Sequence, residues 1–264
     1  MKRLFVTLVL VVLVSPALLA AQSPFDGTWK IDTSKATFPK DPDTYELLNG
    51  TYQCMTCVPP ITVQADGSSQ SVPGHPYYDS VAIKVVSDNQ IEETDSKDGK
   101  VVITSKMTIS SDGKTMKFEF SDASNSNGGP PVTGSGEAVR VAKGSPGSHA
   151  ISGMWRTTKL ENVSDNGTSF TYKVEGKEIT MTSPTGQSYT ATVNGKDFPM
   201  KGDPGVTAVS VKMKNKFTLE ETDKRDAKVV GIFRMTVAPD GKTAQASFED
   251  TLTNRTTEFE LAKQ

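Results

Sequence analysis

The chain has 264 residues, 23% of them charged, with 29 Lys+Arg against 31 Asp+Glu and a formal net charge of −2. That balance argues against nucleic acid or an anionic membrane surface as the main partner, because both select basic patches. Two cysteines and two histidines leave little material for a metal centre, and none is expected.

At the start, Lys2 and Arg3 precede an apolar run from Leu4 to Val14, a break at Ser15-Pro16 and the small residues Ala20-Ala21. A charged start, an apolar core and a small-residue exit predict a secretory signal peptide over residues 1–21, cleaved near residues 20–22. The apolar run is too short to span hydrocarbon, which takes roughly 20 residues, and no later segment is apolar enough to do so. A periplasmic or secreted location follows. The mature chain keeps Asp+Glu in excess, at a net charge of about −4 once Lys2 and Arg3 are gone.

From residue 24 onward the sequence repeats itself. Glu92-Glu93-Thr94-Asp95 returns as Glu220-Glu221-Thr222-Asp223, Lys100-Val101-Val102 as Lys228-Val229-Val230, and Asp112-Gly113-Lys114-Thr115 as Asp240-Gly241-Lys242-Thr243, each 128 residues later. Gly27-Thr28-Trp29 pairs with Gly153-Met154-Trp155 at a spacing of 126. Self-similarity in one register over this length marks a duplication. The expected units are residues 24–143 and 151–264, joined by a Gly/Ser/Pro linker at 144–150. Residues 125–136 read as a loop between the last two strands of the first unit.

Within each unit the apolar residues alternate. Val81, Ile83 and Val85 share one face; so do Val101, Ile103, Met107 and Ile109, then Met116, Phe118 and Phe120. In the second unit Phe170, Tyr172 and Val174 alternate with Thr171 and Lys173, as do Val209, Val211 and Met213 with Ser210 and Lys212. Period two with one apolar face predicts antiparallel strands wet on the outside. Asp66-Gly67, Asp98-Gly99, Asp112-Gly113, Asn166-Gly167, Asn194-Gly195 and Asp240-Gly241 supply the hairpin turns. One short helix is expected over 43–48, between Pro42 and Asn49-Gly50. About eight strands per unit predict an all-β protein of two tandem antiparallel barrels, each wide enough for side chains or one small ligand.

Phe25-Asp26-Gly27-Thr28-Trp29-Lys30-Ile31 resembles the Gly-x-Trp opening strand of lipocalins and fatty-acid-binding proteins, and Gly153-Met154-Trp155 repeats it. The resemblance implies that Trp29 and Trp155 close one end of each barrel. It also implies an Arg from the last strand over the Trp: Arg140 suits the first unit, whereas alignment puts Glu260 there in the second. Over nearly the whole mature chain, the Gly-Thr-Trp-Lys opening, the Gly-x-Pro turns at 74–76 and 202–204 and the Asp-Gly-Lys-Thr hairpins are similar to uncharacterised secreted bacterial lipocalin-like (calycin-type) proteins. That similarity implies export and a barrel, and no established activity.

The chemistry-bearing residues are few. Cys54 and Cys57 suit a loop disulfide in an oxidising compartment; a redox pair, which wants a helix N-terminus, and a metal site completed by His75 are the alternatives. His75 is a turn residue or a polar contact for a ligand, His149 lies in the linker, and the two Glu-Glu-Thr-Asp runs read as solvated strand ends. No nucleophile elbow, phosphate loop or dinucleotide fingerprint occurs. The leading expectation is a non-enzymatic exported protein, without cofactor, that holds a hydrophobic small molecule or lipid between inward residues such as Phe118, Phe120, Phe170 and Tyr172. The alternatives are an envelope interaction module with solid barrels and, behind it, a thiol-dependent enzyme.

Overall fold

The structure is a computed structural model and describes residues 23–264; residues 1–21, where a signal peptide is expected, lie outside the described residues. It is all-β. Twenty strands form two ten-stranded antiparallel sheets, each rolled into a nearly closed barrel. The strands of the first repeat are β1 (Gly27–Thr37), β2 (Asp43–Leu48), β3 (Thr51–Cys54), β4 (Ile61–Gln64), β5 (Gln70–Ser71), β6 (Ser80–Ser87), β7 (Gln90–Lys97), β8 (Lys100–Ile109), β9 (Thr115–Asp122) and β10 (Val132–Lys143). Those of the second are β11 (Gly153–Glu161), β12 (Ser169–Glu175), β13 (Glu178–Thr182), β14 (Ser188–Thr192), β15 (Asn194–Pro199), β16 (Ala208–Asn215), β17 (Thr218–Arg225), β18 (Lys228–Val237), β19 (Thr243–Asp250) and β20 (Arg255–Lys263).

The sheets do not follow the repeat boundaries. One runs β4-β3-β2-β11-β10-β9-β8-β7-β6-β5 and the other β14-β13-β12-β1-β20-β19-β18-β17-β16-β15. The opening strand of each repeat has changed places. β11 lies between β2 and β10, with Gly153 opposite Tyr45 and Trp155 opposite Arg140. β1 lies between β12 and β20, with Trp29 opposite Phe170 and Lys263. The division expected at 144–150 is therefore corrected: residues 144–150 form the connection between two paired strands of the first barrel. The physical reason is local, since antiparallel strands joined by a short loop pair at little entropic cost. Once β11 has paired with β10, β1 completes the second sheet. His149 is held in that connection, its amide donating to Leu47 O and its Nε2 lying 2.7 Å from Ser87 O.

Two further expectations change. Residues 43–48 form strand β2, not a helix: Tyr45 and Leu47 pack toward the core, and Asn49 (φ 53°) and Gly50 (φ 77°) make a two-residue hairpin turn into β3. The count of strands is ten per barrel rather than eight, with β5 and β15 each at one edge of its sheet. The edges then meet: Ser188 and Lys201 exchange both backbone hydrogen bonds, and Asp66 bridges to Lys84.

Each barrel has its own core. Trp155, Tyr52, Ile61, Val81, Ile83 and Ile91 fill the first, and Trp29, Phe25, Ile179, Val209, Leu219 and Met235 the second. Burying each aliphatic chain contributes about 1.5–3 kcal/mol. Val85 and Val101, expected on the inner faces, are exposed, because irregularities at Val85/Ser87 and Asp95/Ser96 break the alternation there. Outward positions carry ion pairs such as Lys84–Glu92 (3.3 Å) and Lys117–Glu137 (3.5 Å). Among the described residues no helix is long and apolar enough to cross a membrane.

Candidate functional site

Barrel two holds an open cavity of about 290 Å³. Its walls come from the inward positions of five strands: Phe170 and Tyr172 on β12, Met181 on β13, Glu221 and Asp223 on β17, Phe233 on β18 and Phe248 on β19. The β15–β16 connection adds Met200, Asp203 and Val206, and the β13–β14 turn adds Ser183, Thr185 and Gln187. Asn125 reaches in from the β9–β10 loop, so the first repeat supplies part of the wall.

The acidic floor arises from strand geometry. Leu219, Glu221 and Asp223 share one face of β17, and Leu219 is fully buried, so the carboxyls after it also point inward. Glu220, one residue out of phase, pairs outside with Lys214 and Arg234, each at 2.9 Å. The solvated-strand-end reading of Glu-Glu-Thr-Asp is thus corrected for Glu221 and Asp223, and for Asp95, buried at the same register in the first barrel. The alternation already held this signal: Glu93 and Asp95 have the parity of Ile91, as Glu221 and Asp223 have that of Leu219.

Glu221 Oε2 accepts hydrogen bonds from the phenols of Tyr189 (2.5 Å) and Tyr172 (3.4 Å). Burial raises the Tyr172 and Tyr189 phenols well above their ordinary range, so both stay protonated as donors. Burial also raises both carboxyls. The effect is greatest at Asp223, which faces the Glu221 charge as well and shares a hydrogen bond with it. Asp223 Oδ1 is buried with no partner. No Lys or Arg among the described ion pairs touches either acid.

Asp203 fastens the rim. Its Oδ1 accepts from Tyr77 Oη (3.0 Å) of the first barrel and from Gly205 N (2.7 Å), and its Oδ2 from Asn125 Nδ2 (3.0 Å). Gln187 Nε2 donates to Asn125 O at 2.5 Å, and Asn127 Nδ2 to the carbonyls of Thr185 and Gly202. Loops of one barrel therefore shape the opening of the other.

The first barrel differs at matching positions. It carries Tyr78 for Val206, Ile103 for Gly231 and Phe118 for Ala246, each 128 residues earlier and each larger. At Gly231 there is no room for a side chain: a Cβ there would lie 2.7 Å from the Phe248 ring and 3.3 Å from Asp223 Oδ2. Phe118 and Phe120 lie half-buried against Gly136 and Gly134. His75 lies buried in the β5–β6 connection, stacked on Tyr78 at 4.6 Å between ring centroids, and burial lowers its pKa. Cys54 and Cys57 are disulfide-bonded, so neither offers a thiolate. No group of three or more His, Cys, Asp or Glu among the described residues is arranged to hold a metal ion.

Of the residues expected to line a pocket, Phe170 and Tyr172 line this cavity. Trp29 and Trp155 are wholly buried, one per barrel, and each indole donates to the carbonyl four residues back, at Phe25 (2.7 Å) and Ile151 (2.8 Å). Arg140 does stand over a Trp, but over Trp155 at 4.0 Å, through the strand exchange. Over Trp29 stands Lys263 at 4.8 Å, not Glu260, which faces outward and pairs with Lys35. The sequence marks Asp203 and Asn125 only as turn and loop residues and does not single out Tyr189 and Gln187, because their partners are far away in the chain.

No protein-family model matches the chain, no curated protein is similar to it, and no solved structure matches it.

Proposed function

We propose that the chain is an exported, non-enzymatic binding protein of lipocalin-like type, whose second barrel holds one small, largely apolar molecule. The observation that carries this reading is the cavity of about 290 Å³ lined by Phe170, Met181, Met200, Phe233 and Phe248 over a polar floor. Apolar walls with a few convergent polar groups are the usual make-up of a small-molecule site, and this volume lies at the small end of the range of about 300–1,000 Å³. Methionine and phenylalanine walls adapt to a ligand without demanding a reaction. The first barrel, with Tyr78 and Ile103 at the matching positions, serves as support and lends Asn125 and Tyr77 to the rim.

The test is native mass spectrometry of freshly purified protein with solvent extraction of any bound molecule, repeated on Val206→Tyr. That variant installs the side chain which the first barrel carries at Tyr78. A bound small molecule in the parent and none in the variant is the expected result. A parent that is empty and binds no apolar fluorescent probe such as 1-anilinonaphthalene-8-sulfonate sinks the reading.

A further inference from the structure

We infer that the ligand of the second barrel is a small hydrophobic primary amine, its ammonium group seated against Glu221, Asp223 and Asn125. The inference rests on the cavity being a binding site and goes on to name what the site selects. Two buried polar atoms at the cavity lack a partner, Asp223 Oδ1 and Asn125 Oδ1. Both are acceptors. The Asn125 amide cannot turn round to offer its nitrogen, because Nδ2 already donates to Asp203 Oδ2, a carboxylate oxygen that only accepts. Asp223 is more than nine-tenths buried. A ligand that satisfies this floor must bring donors, and an ammonium group brings three.

Charge points the same way. Glu221 and Asp223 lie side by side in a low-dielectric site, where burial raises both carboxyls, and no Lys or Arg of the described ion pairs touches either of them. Both tyrosine phenols donate to Glu221 and hold its carboxylate in place. A metal ion is a poor match: Ca²⁺ takes 6–8 oxygen ligands, and the rest of the wall is Phe170, Phe233, Phe248, Met181 and Met200. Those same rings suit an organic cation, which aromatic faces attract. The first barrel keeps the acids as Glu93 and Asp95 but carries the larger Ile103 and Tyr78 where the second has Gly231 and Val206, and the amine site is assigned to the second barrel.

The test is calorimetric titration of the full chain at pH 7 with 2-phenylethylamine, 2-phenylethanol and phenylacetate, which share a body and differ in the head group. The amine should bind at least tenfold more tightly than the alcohol, and phenylacetate should give no heat. Glu221→Gln should cost the amine tenfold or more and narrow its advantage over the alcohol; Asp223→Asn is the second variant should the first fail to fold, and the comparison in the parent chain needs neither. An alcohol that binds as tightly as the amine overturns the cation inference and leaves the binding reading standing. No binding by any of the three, together with no bound molecule after purification, overturns both.

Discussion

Lys263 Nζ stands 4.8 Å from the centroid of the Trp29 indole, although one closes the second repeat and the other opens the first. The same ammonium donates to Pro24 O at 2.9 Å. In the other barrel Arg140 and Trp155 repeat the relationship with the repeats interchanged. Each barrel thus owes one central strand to the other repeat, and neither repeat contains a complete barrel. A protease site inserted at Gly147, in the β10–β11 connection, should give two fragments that stay together. β11 remains paired to β10 and β2, and β1 to β12 and β20. The check is size exclusion followed by denaturing electrophoresis; fragments that separate without denaturant would contradict the exchange.

The two Trp–cation pairs are not of equal weight. Arg140 donates to three carbonyls, Gly113 (Nε, 2.5 Å), Ser152 (Nη1, 2.5 Å) and Ala150 (Nη2, 2.6 Å), while Lys263 makes the single bond to Pro24. Charge-assisted bonds contribute about 1.5–3 kcal/mol at best, and carbonyls left without a donor add to the loss. Arg140→Ala is expected to cost about 3 kcal/mol and Lys263→Ala about 1 kcal/mol. Arg140→Lys should recover little of it, since the fork of donors is lost. Urea denaturation of the three variants measures the order.

The barrel class was legible because period-two patterning and Asn-Gly or Asp-Gly turns are local, and the duplication because one register runs through both copies. The strand exchange was not. Gly27–Trp29 and Gly153–Trp155 are near-copies, so both fit the gap in either sheet, and only the path of residues 38–42 and 144–152 decides between them. Segment 43–48 misled for a related reason: Pro42 and Asn49-Gly50 punctuate a helix and a hairpin equally well, and pairing of Tyr45 with Gly153 and Cys54 settles the matter. The acidic floor was hidden by residue type. Glu221 and Asp223 sit at inward positions by parity, but carboxyls at such positions are expected outside unless a distant partner such as Tyr189 receives them.

Stability should fall as pH rises through neutrality. Burial holds Glu93, Asp95, Glu221 and Asp223 above the ordinary carboxylate range in the folded chain. Below about pH 4 these groups are protonated in both states and their contribution is fully present. Above it the unfolded chain releases protons that the folded chain retains, so the contribution is lost until the folded carboxyls ionise too. The exposed turn acids Asp66, Asp112 and Asp240 are shifted down by their hydrogen bonds and act in the opposite sense, at lower pH. Differential scanning calorimetry should give a Tm at pH 8.5 several degrees below that at pH 5, at roughly 2–4 °C per kcal/mol for a chain of this size. Asp95→Asn with Asp223→Asn should flatten the slope. A Tm that rises over the same interval would falsify the assignment of buried acids.

The β17–β18 turn offers a substitution that should raise stability. Asp98 (φ 52°) and Gly99 (φ 73°) join β7 to β8, and 128 residues later Asp226 (φ 51°) and Ala227 (φ 65°) join β17 to β18 with the same backbone. The second position of this turn is left-handed, which costs an L-residue with a Cβ about 1–2 kcal/mol. Glycine escapes that cost but gives up about 0.5–1 kcal/mol through the freer unfolded chain. Ala227 is exposed and packs against nothing in the core, so no contact is lost on shortening it. Ala227→Gly should therefore stabilise the protein by about 0.5–1 kcal/mol, seen as a higher urea midpoint with an unchanged slope. Gly99→Ala in the first barrel should produce a loss of similar size, and the double variant should return to the parent value, since the two turns lie in different barrels and share no partner.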